Sequence, residues 1–99
     1  MNNPEWVTQL TVDLLDTFDP AAAMQRQIMC ISEEAGELTG AVRRYLKMAR
    51  REGAYEEVLM EAADVLISTM VLLEMCNANI DLAIKTKLHV IYQRGLRNW

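Results

Sequence analysis

Residues 65–75 read VLISTMVLLEM, and at about 100° per residue the apolar members fall on nearly every side of a helix. Val65, Leu66, Ile67, Met70, Val71, Leu72 and Leu73 leave no polar face wide enough to meet water. A helix of this kind has to be covered all round. In a chain of 99 residues the remaining segments are too few and too short to cover it. A homo-oligomer, dimer or tetramer, with this helix at the subunit contact is therefore the expected solution. Ser68, Thr69 and Glu74 interrupt the stretch, which falls short of the roughly 20 apolar residues that span a bilayer, so no membrane partner is expected.

Prolines and glycines punctuate the rest as helices. Asn2-Asn3-Pro4 reads as a cap followed by proline at the first helical position. Trp6, Val7, Leu10, Leu14 and Phe18 then form one stripe, with Trp6 as a core anchor. Asp19-Pro20 repeats the start signal for a second helix over residues 21–52, closed by Gly53 as a C-cap. A helix that long predicts a kink near Gly36 or Gly40. The third helix runs from Tyr55 to Cys76, with Glu56 and Glu57 at the positive end of its dipole and Asn77 and Asn79 closing it. Asp81 caps a fourth helix that ends at Arg94-Gly95. No segment alternates with period two over a useful length. The expectation is an all-α, four-helix bundle forming a single domain over residues 1–99.

Hydrophobic residues make up 52% of the chain, enough for a core and too many for disorder. The net charge of −4 argues against a nucleic-acid partner or an anionic membrane surface. Arg43, Arg44, Lys47, Arg50 and Arg51 form a basic run that reads as a solvated helix face, with Arg44 or Lys47 as the members available to an anion. Cys30 and Cys76 build neither a disulfide framework nor a zinc site and read as buried thiols in a reducing cytoplasm. The opening MNNPEWVTQL has no basic stretch followed by an apolar run, so no signal peptide is expected.

Against this ordinary background stand two acidic groups. Glu33, Glu34 and Glu37 lie within SEEAGEL, and Glu61 and Asp64 lie within MEAADVL. Residues three or four apart share a helix face, so each group points one way. A salt-bridged surface would supply Lys or Arg at those same spacings, and none of the five acids has one. Like charges so placed cost about 0.2–0.5 kcal/mol per pair when solvated, and more when desolvated beside Ile31, Leu38 and Val65. Either basic side chains from elsewhere, such as Arg43, Arg44 or Lys87, neutralise them, or a divalent cation does. All-carboxylate donors suit Mg2+, with Mn2+ as a substitute. A ferritin-like di-iron site needs Glu-x-x-His, and His89, the sole histidine, follows Thr86 at that spacing. Serine or cysteine nucleophile arrangements and glycine-rich phosphate loops are absent.

Glu33-Glu34-Ala-Gly-Glu37-Leu followed by Glu61-Ala-Ala-Asp64-Val-Leu resembles the paired EExxE and ExxD signature of the MazG-like all-α nucleoside triphosphate pyrophosphohydrolases, with the related dimeric dUTPases and dCTP pyrophosphatases. The similarity extends through NIDLAIKTKL to a Lys87-x6-Arg94 tail, over roughly residues 25–95. The resemblance implies a four-helix MazG-like bundle and Mg2+-dependent hydrolysis of (deoxy)nucleoside triphosphates to monophosphate and pyrophosphate, in the service of nucleotide-pool cleansing. It implies that Glu34, Glu37, Glu61 and Asp64 hold metal and that Lys87 and Arg94 lie near the phosphates. Glu33 is read as bordering the site, where it helps to position metal or water. Trp6, Gln25 and Gln27 occupy the stretch where relatives contact base or sugar. Ile91 departs from the pattern, since many relatives carry asparagine there, and a polar substrate contact is in question.

Two alternatives stay open. Phosphoribosyl-ATP pyrophosphatase of histidine biosynthesis is similarly short and carries comparable acids, and Gly53-Ala-Tyr-Glu-Glu looks somewhat like it. A non-catalytic helical oligomerisation module would keep the acids for structure alone.

Overall fold

The computed structural model describes residues 3–99, which form four α-helices and a terminal 3-10 turn. The helices are α1 (Glu5–Thr17), α2 (Pro20–Tyr45), α3 (Tyr55–Met75) and α4 (Ile80–Arg94), with the turn over Leu96–Asn98. No strand occurs among the described residues, as the lack of period-two patterning predicts.

Local chemistry explains most of the boundaries. Asp19 caps α2, its Oδ1 accepting from the backbone of Ala21 (3.1 Å) and Ala22 (3.2 Å), while Pro20 takes the first helical position and surrenders no bond there. The helix continues through Gly36 and Gly40 without a break, then stops at Tyr45, short of Gly53. Lys47 adopts φ 60°, and its N–H and that of Met48 donate to the carbonyls of Arg44 (3.1 Å) and Arg43 (2.7 Å). This Schellman closure satisfies the last carbonyls, and the chain from 46 to 54 becomes a loop instead of two further turns. Asn77 ends α3 the same way at φ 57°, with Asn77 N–H to Glu74 O and Ala78 N–H to Leu73 O, both 2.9 Å. Asparagine tolerates that conformation, which made this end readable in the sequence; lysine gives no such sign.

Two caps differ from expectation. Asn79, not Asp81, caps α4, its Oδ1 accepting from Leu82 N–H at 3.0 Å; Asp81 sits in the first turn and pairs with Lys85 at 2.9 Å. At the amino end Pro4 itself is the N-cap of α1 and has no side-chain bond. Asn2 lies outside the described residues. Asn3 reaches away from α1: its amide donates to Glu74 Oε2 (2.9 Å) and Ala78 O (2.8 Å), and its oxygen accepts from Ile80 N–H (2.9 Å). Thr8 adds a bond from its hydroxyl to Glu74 Oε1 at 2.6 Å. The elbow between α3 and α4 is thus tied to the start of the chain.

The principal packing is α2 against α3, and the pairs that join them set an antiparallel register. Gln27 meets Ser68 near one end and Arg44 meets Glu57 near the other. α1 covers α3 through Val7 and Thr11, both buried, flanked by Leu10, Leu14 and Phe18. Trp6 is 47% exposed and falls outside that stripe, so Val7 and not Trp6 anchors α1. Cys30 is half-buried and Cys76 exposed, so neither thiol is the buried one expected.

Among the described helices α4 packs against α3 alone, besides the terminal turn that follows it, and makes no packing contact with α2. The Cα radius of gyration is 16.0 Å, against about 13 Å for a compact chain of this length. Only Val71 and Ser68 of α3 are buried, while Leu66 and Met60 on the same helix are more than 60% exposed. Leu82, Ile84, Leu88 and Tyr92 of α4 are exposed as well. One copy of the chain does not cover its own apolar surface.

Candidate metal centre

The α2–α3 pair brings the two acidic groups face to face. Carboxylate oxygens of Glu34, Glu61 and Asp64 lie within 4.8 Å of one another. Their approach follows from the antiparallel register: with Gln27 opposite Ser68, the residues near 34 come level with those near 61 and 64. Glu33, Glu37 and Glu61 line an open groove of about 780 Å3 with Gly36, Gly40 and Arg44.

Among the described residues no ion pair neutralises this cluster. The ion pairs among the described residues are Arg44–Glu57 and Lys85–Asp81, and neither uses any of the five acids. Glu34 Oε2 and Glu61 Oε2 are both buried without a hydrogen-bond partner among the described residues. Burial pushes the Glu34 carboxyl above its ordinary value, and the charges of Glu37, Asp64 and Glu61 and a hydrogen bond with Asp64 push the same way. Burial likewise raises the Glu61 carboxyl, followed by a hydrogen bond with Glu37 and the charges of Glu37, Asp64 and Glu57. Protonation relieves such a cluster at acid pH; at neutral pH a bound cation would do the same.

The donor set fits a hard divalent ion. All candidate ligands are carboxylate oxygens, and two of the carboxylates bury an oxygen with no hydrogen-bond partner among the described residues. Oxygens on opposite sides of Mg2+ at about 2.1 Å stand roughly 4.2 Å apart. A spread of up to 4.8 Å is close to that separation.

The other predicted residues separate into three groups. Glu37 and Glu33 are exposed along the groove, Glu37 beside Glu61 and Glu33 further out. Arg44 also lines the groove, held by Glu57 from the first turn of α3. Lys47, Lys87, Arg94 and Trp6 do not line it, and the two basic residues of α4 sit on a helix that does not pack against α2. Gln27 is buried, its Nε2 donating to Ser68 O at 2.9 Å, so it joins α2 to α3 and does not line the groove. Gln25 is exposed. Ile91 is a buried residue of α4.

Sequence reasoning missed Glu57 and the floor of the groove. Glu57 is 13 residues from Arg44 across a loop, which no helical spacing signals. Gly36 and Gly40, expected as kink sites, instead line the groove together with the acids and the arginine. Gly53 serves the same wall: a Cβ there would stand 2.8 Å from Arg44 Cβ and 3.3 Å from Glu57 Oε2, so only glycine lets the loop close over that pair. Comparisons with protein-family models, with curated proteins and with solved structures each returned no match.

Proposed function

We propose that this protein is a Mg2+-dependent pyrophosphohydrolase of (deoxy)nucleoside triphosphates, acting as a homo-oligomer and releasing a monophosphate and pyrophosphate. The observation that carries the reading is the convergence of the Glu34, Glu61 and Asp64 carboxylates, two of which, Glu34 and Glu61, each bury an oxygen with no hydrogen-bond partner among the described residues. The resemblance of its paired EExxE and ExxD spacing to the MazG-like pyrophosphohydrolases directs the reading to polyphosphate hydrolysis.

In this reading Glu34, Glu61 and Asp64 hold the ion, and Glu37 lines the groove alongside Glu61. The ion, Mg2+ or Mn2+, supplies charge to offset that developing on the phosphates and acidifies bound water. Glu33 and Glu37, exposed in the groove, are the carboxylates free to orient a water for attack on phosphorus. The bare apolar faces of α3 and α4 support oligomerisation. Lys87 and Arg94 stand on a helix that packs on α3 and not on α2, and within one chain they do not line the groove. Pool cleansing in the cytoplasm is the role that fits such an activity.

Incubation with a panel of dNTPs and NTPs tests this. Wild type should yield nucleoside monophosphate and pyrophosphate with Mg2+ and neither with EDTA, and Glu61→Gln should lose the activity while keeping its helical spectrum. Metal-independent turnover, or full activity in Glu61→Gln, refutes it. Turnover of phosphoribosyl-ATP alone would move the assignment to that substrate.

A further inference from the structure

The strongest unexplained feature is the floor of the groove. Glycine inside a helix is among the least favourable residues there, and α2 carries two of them one turn apart, Gly36 and Gly40. Protein packing does not account for Gly36: a Cβ built on it meets nothing within 4 Å. Its φ is not positive, so no backbone constraint demands glycine either. What distinguishes the position is its place, in the lining of a groove shared by Glu33, Glu37, Glu61 and Arg44.

Arg44 completes the picture. Its guanidinium reaches back one turn to Gly40, where a Cβ would sit 3.2 Å from Nη1. Glu57 holds one end of it, and its Nε is buried with no acceptor among the described residues. A tethered cation therefore shares one groove with three acids and with two residues that have no side chains. From Glu34 to the level of Gly40 is about 9 Å along the helix at 1.5 Å per residue, a span that an extended triphosphate chain covers.

We infer that the Gly36–Gly40 floor and the Glu57-tethered Arg44 form a subsite for the distal phosphates of the polyphosphate, those that leave as pyrophosphate. The inference rests on the proposed function, because the metal at the acids anchors the other end of the same chain. Gly36 stays bare so that phosphate oxygens lie against the helix backbone. Arg44 supplies charge-assisted donors where the leaving group gathers negative charge. Glu57 is a positioning residue that keeps the guanidinium extended along the wall.

Calorimetry with inorganic tripolyphosphate, on protein held in Mg2+, tests the subsite; Mg2+ alone is titrated into each variant in parallel. Arg44→Gln should weaken tripolyphosphate by about tenfold or more, the loss of one charge-assisted hydrogen bond, and Arg44→Lys should recover part of it. Gly36→Ala should weaken it as well while the variant stays folded and equally oligomeric. Mg2+ affinity should change little in any of them. Wild-type affinity for tripolyphosphate in both Arg44→Gln and Gly36→Ala overturns the subsite while leaving the metal centre intact. A fall in oligomer mass on Gly36→Ala also overturns it, since the groove would then be a contact between copies. Failure of the wild type to bind Mg2+ removes the underlying reading and the subsite with it.

Discussion

Asn3 offers the sharpest test of how the fold is held. Its side chain makes bonds of 2.9, 2.8 and 2.9 Å to Glu74, Ala78 and Ile80, at the elbow where α3 hands over to α4. Two neutral bonds at about 1 kcal/mol each and one to a carboxylate at about 1.5 kcal/mol sum to roughly 3.5 kcal/mol. Releasing the side chain returns about 1 kcal/mol of rotamer entropy, and water reaching the part-buried groups returns some more. Asn3→Ala should therefore cost about 2 kcal/mol. Asn3→Asp separates the contributions. The aspartate can still accept from Ile80 N–H, but it loses both donated bonds and sets a second carboxylate against Glu74. It should be no better than alanine, and worse at low salt. Urea melts at one fixed protomer concentration measure both, with Gln9→Ala, which breaks only an exposed bond to Asp13, as the control within about 0.5 kcal/mol. If Asn3→Ala falls within the control's range, or Asn3→Asp restores wild-type stability, the elbow is not held as described.

Three further outcomes follow from the same structure. Gly36→Ala should raise stability by up to about 1 kcal/mol, or roughly 4–8 °C in Tm, because the added methyl enters open space on an exposed helix position; a lower Tm would mean that something already covers it. Because Glu34 and Glu61 are raised in the folded state, the native protein binds more protons than the unfolded chain above the ordinary carboxylate value of 4.5. Their stabilising contribution is full below that value and lost as pH rises through the folded pKa, so metal-free protein should lose Tm on going from mildly acidic to neutral pH, and Mg2+ should restore it most at the neutral end. Leu88→Glu with Tyr92→Glu, on the exposed side of α4, should shift sedimentation from oligomer to monomer; an unchanged mass would place the contact elsewhere.

How far the chain could be read in advance depended on whether the deciding interaction was local. Asp19-Pro20, Asn77 and the Tyr55 start of α3 are written in side chains next to the boundaries they set, and they stand where expected. The end of α2 was missed because Lys47 enters the left-handed region, which lysine does not advertise. Asn3 looked like a local cap but spends its bonds more than 70 residues away, a pairing that only the fold creates. The acids were legible because their spacing matched a helix face while their neighbours offered no counter-charge. Which of them converge was not, since that depends on the α2–α3 register; it brings Glu34, Glu61 and Asp64 together and leaves Glu37 and Glu33 along the groove. Arg44 was one of five basic residues in a run, and the fold alone singles it out by pairing it with Glu57 over Gly53.

The central claim is that the convergent carboxylates hold a divalent cation, and Mn2+ titration followed by electron paramagnetic resonance tests it most directly. At neutral pH wild-type protein should remove the free-ion signal saturably, with at least one ion per chain, and Mg2+ should compete for the same place. Glu61→Gln should bind about tenfold more weakly or worse, as expected when one ligand oxygen loses its charge. Free-ion signal that persists at millimolar protein, or equal binding by wild type and Glu61→Gln, would contradict the account and leave the acids as a repulsive cluster tolerated for some other reason.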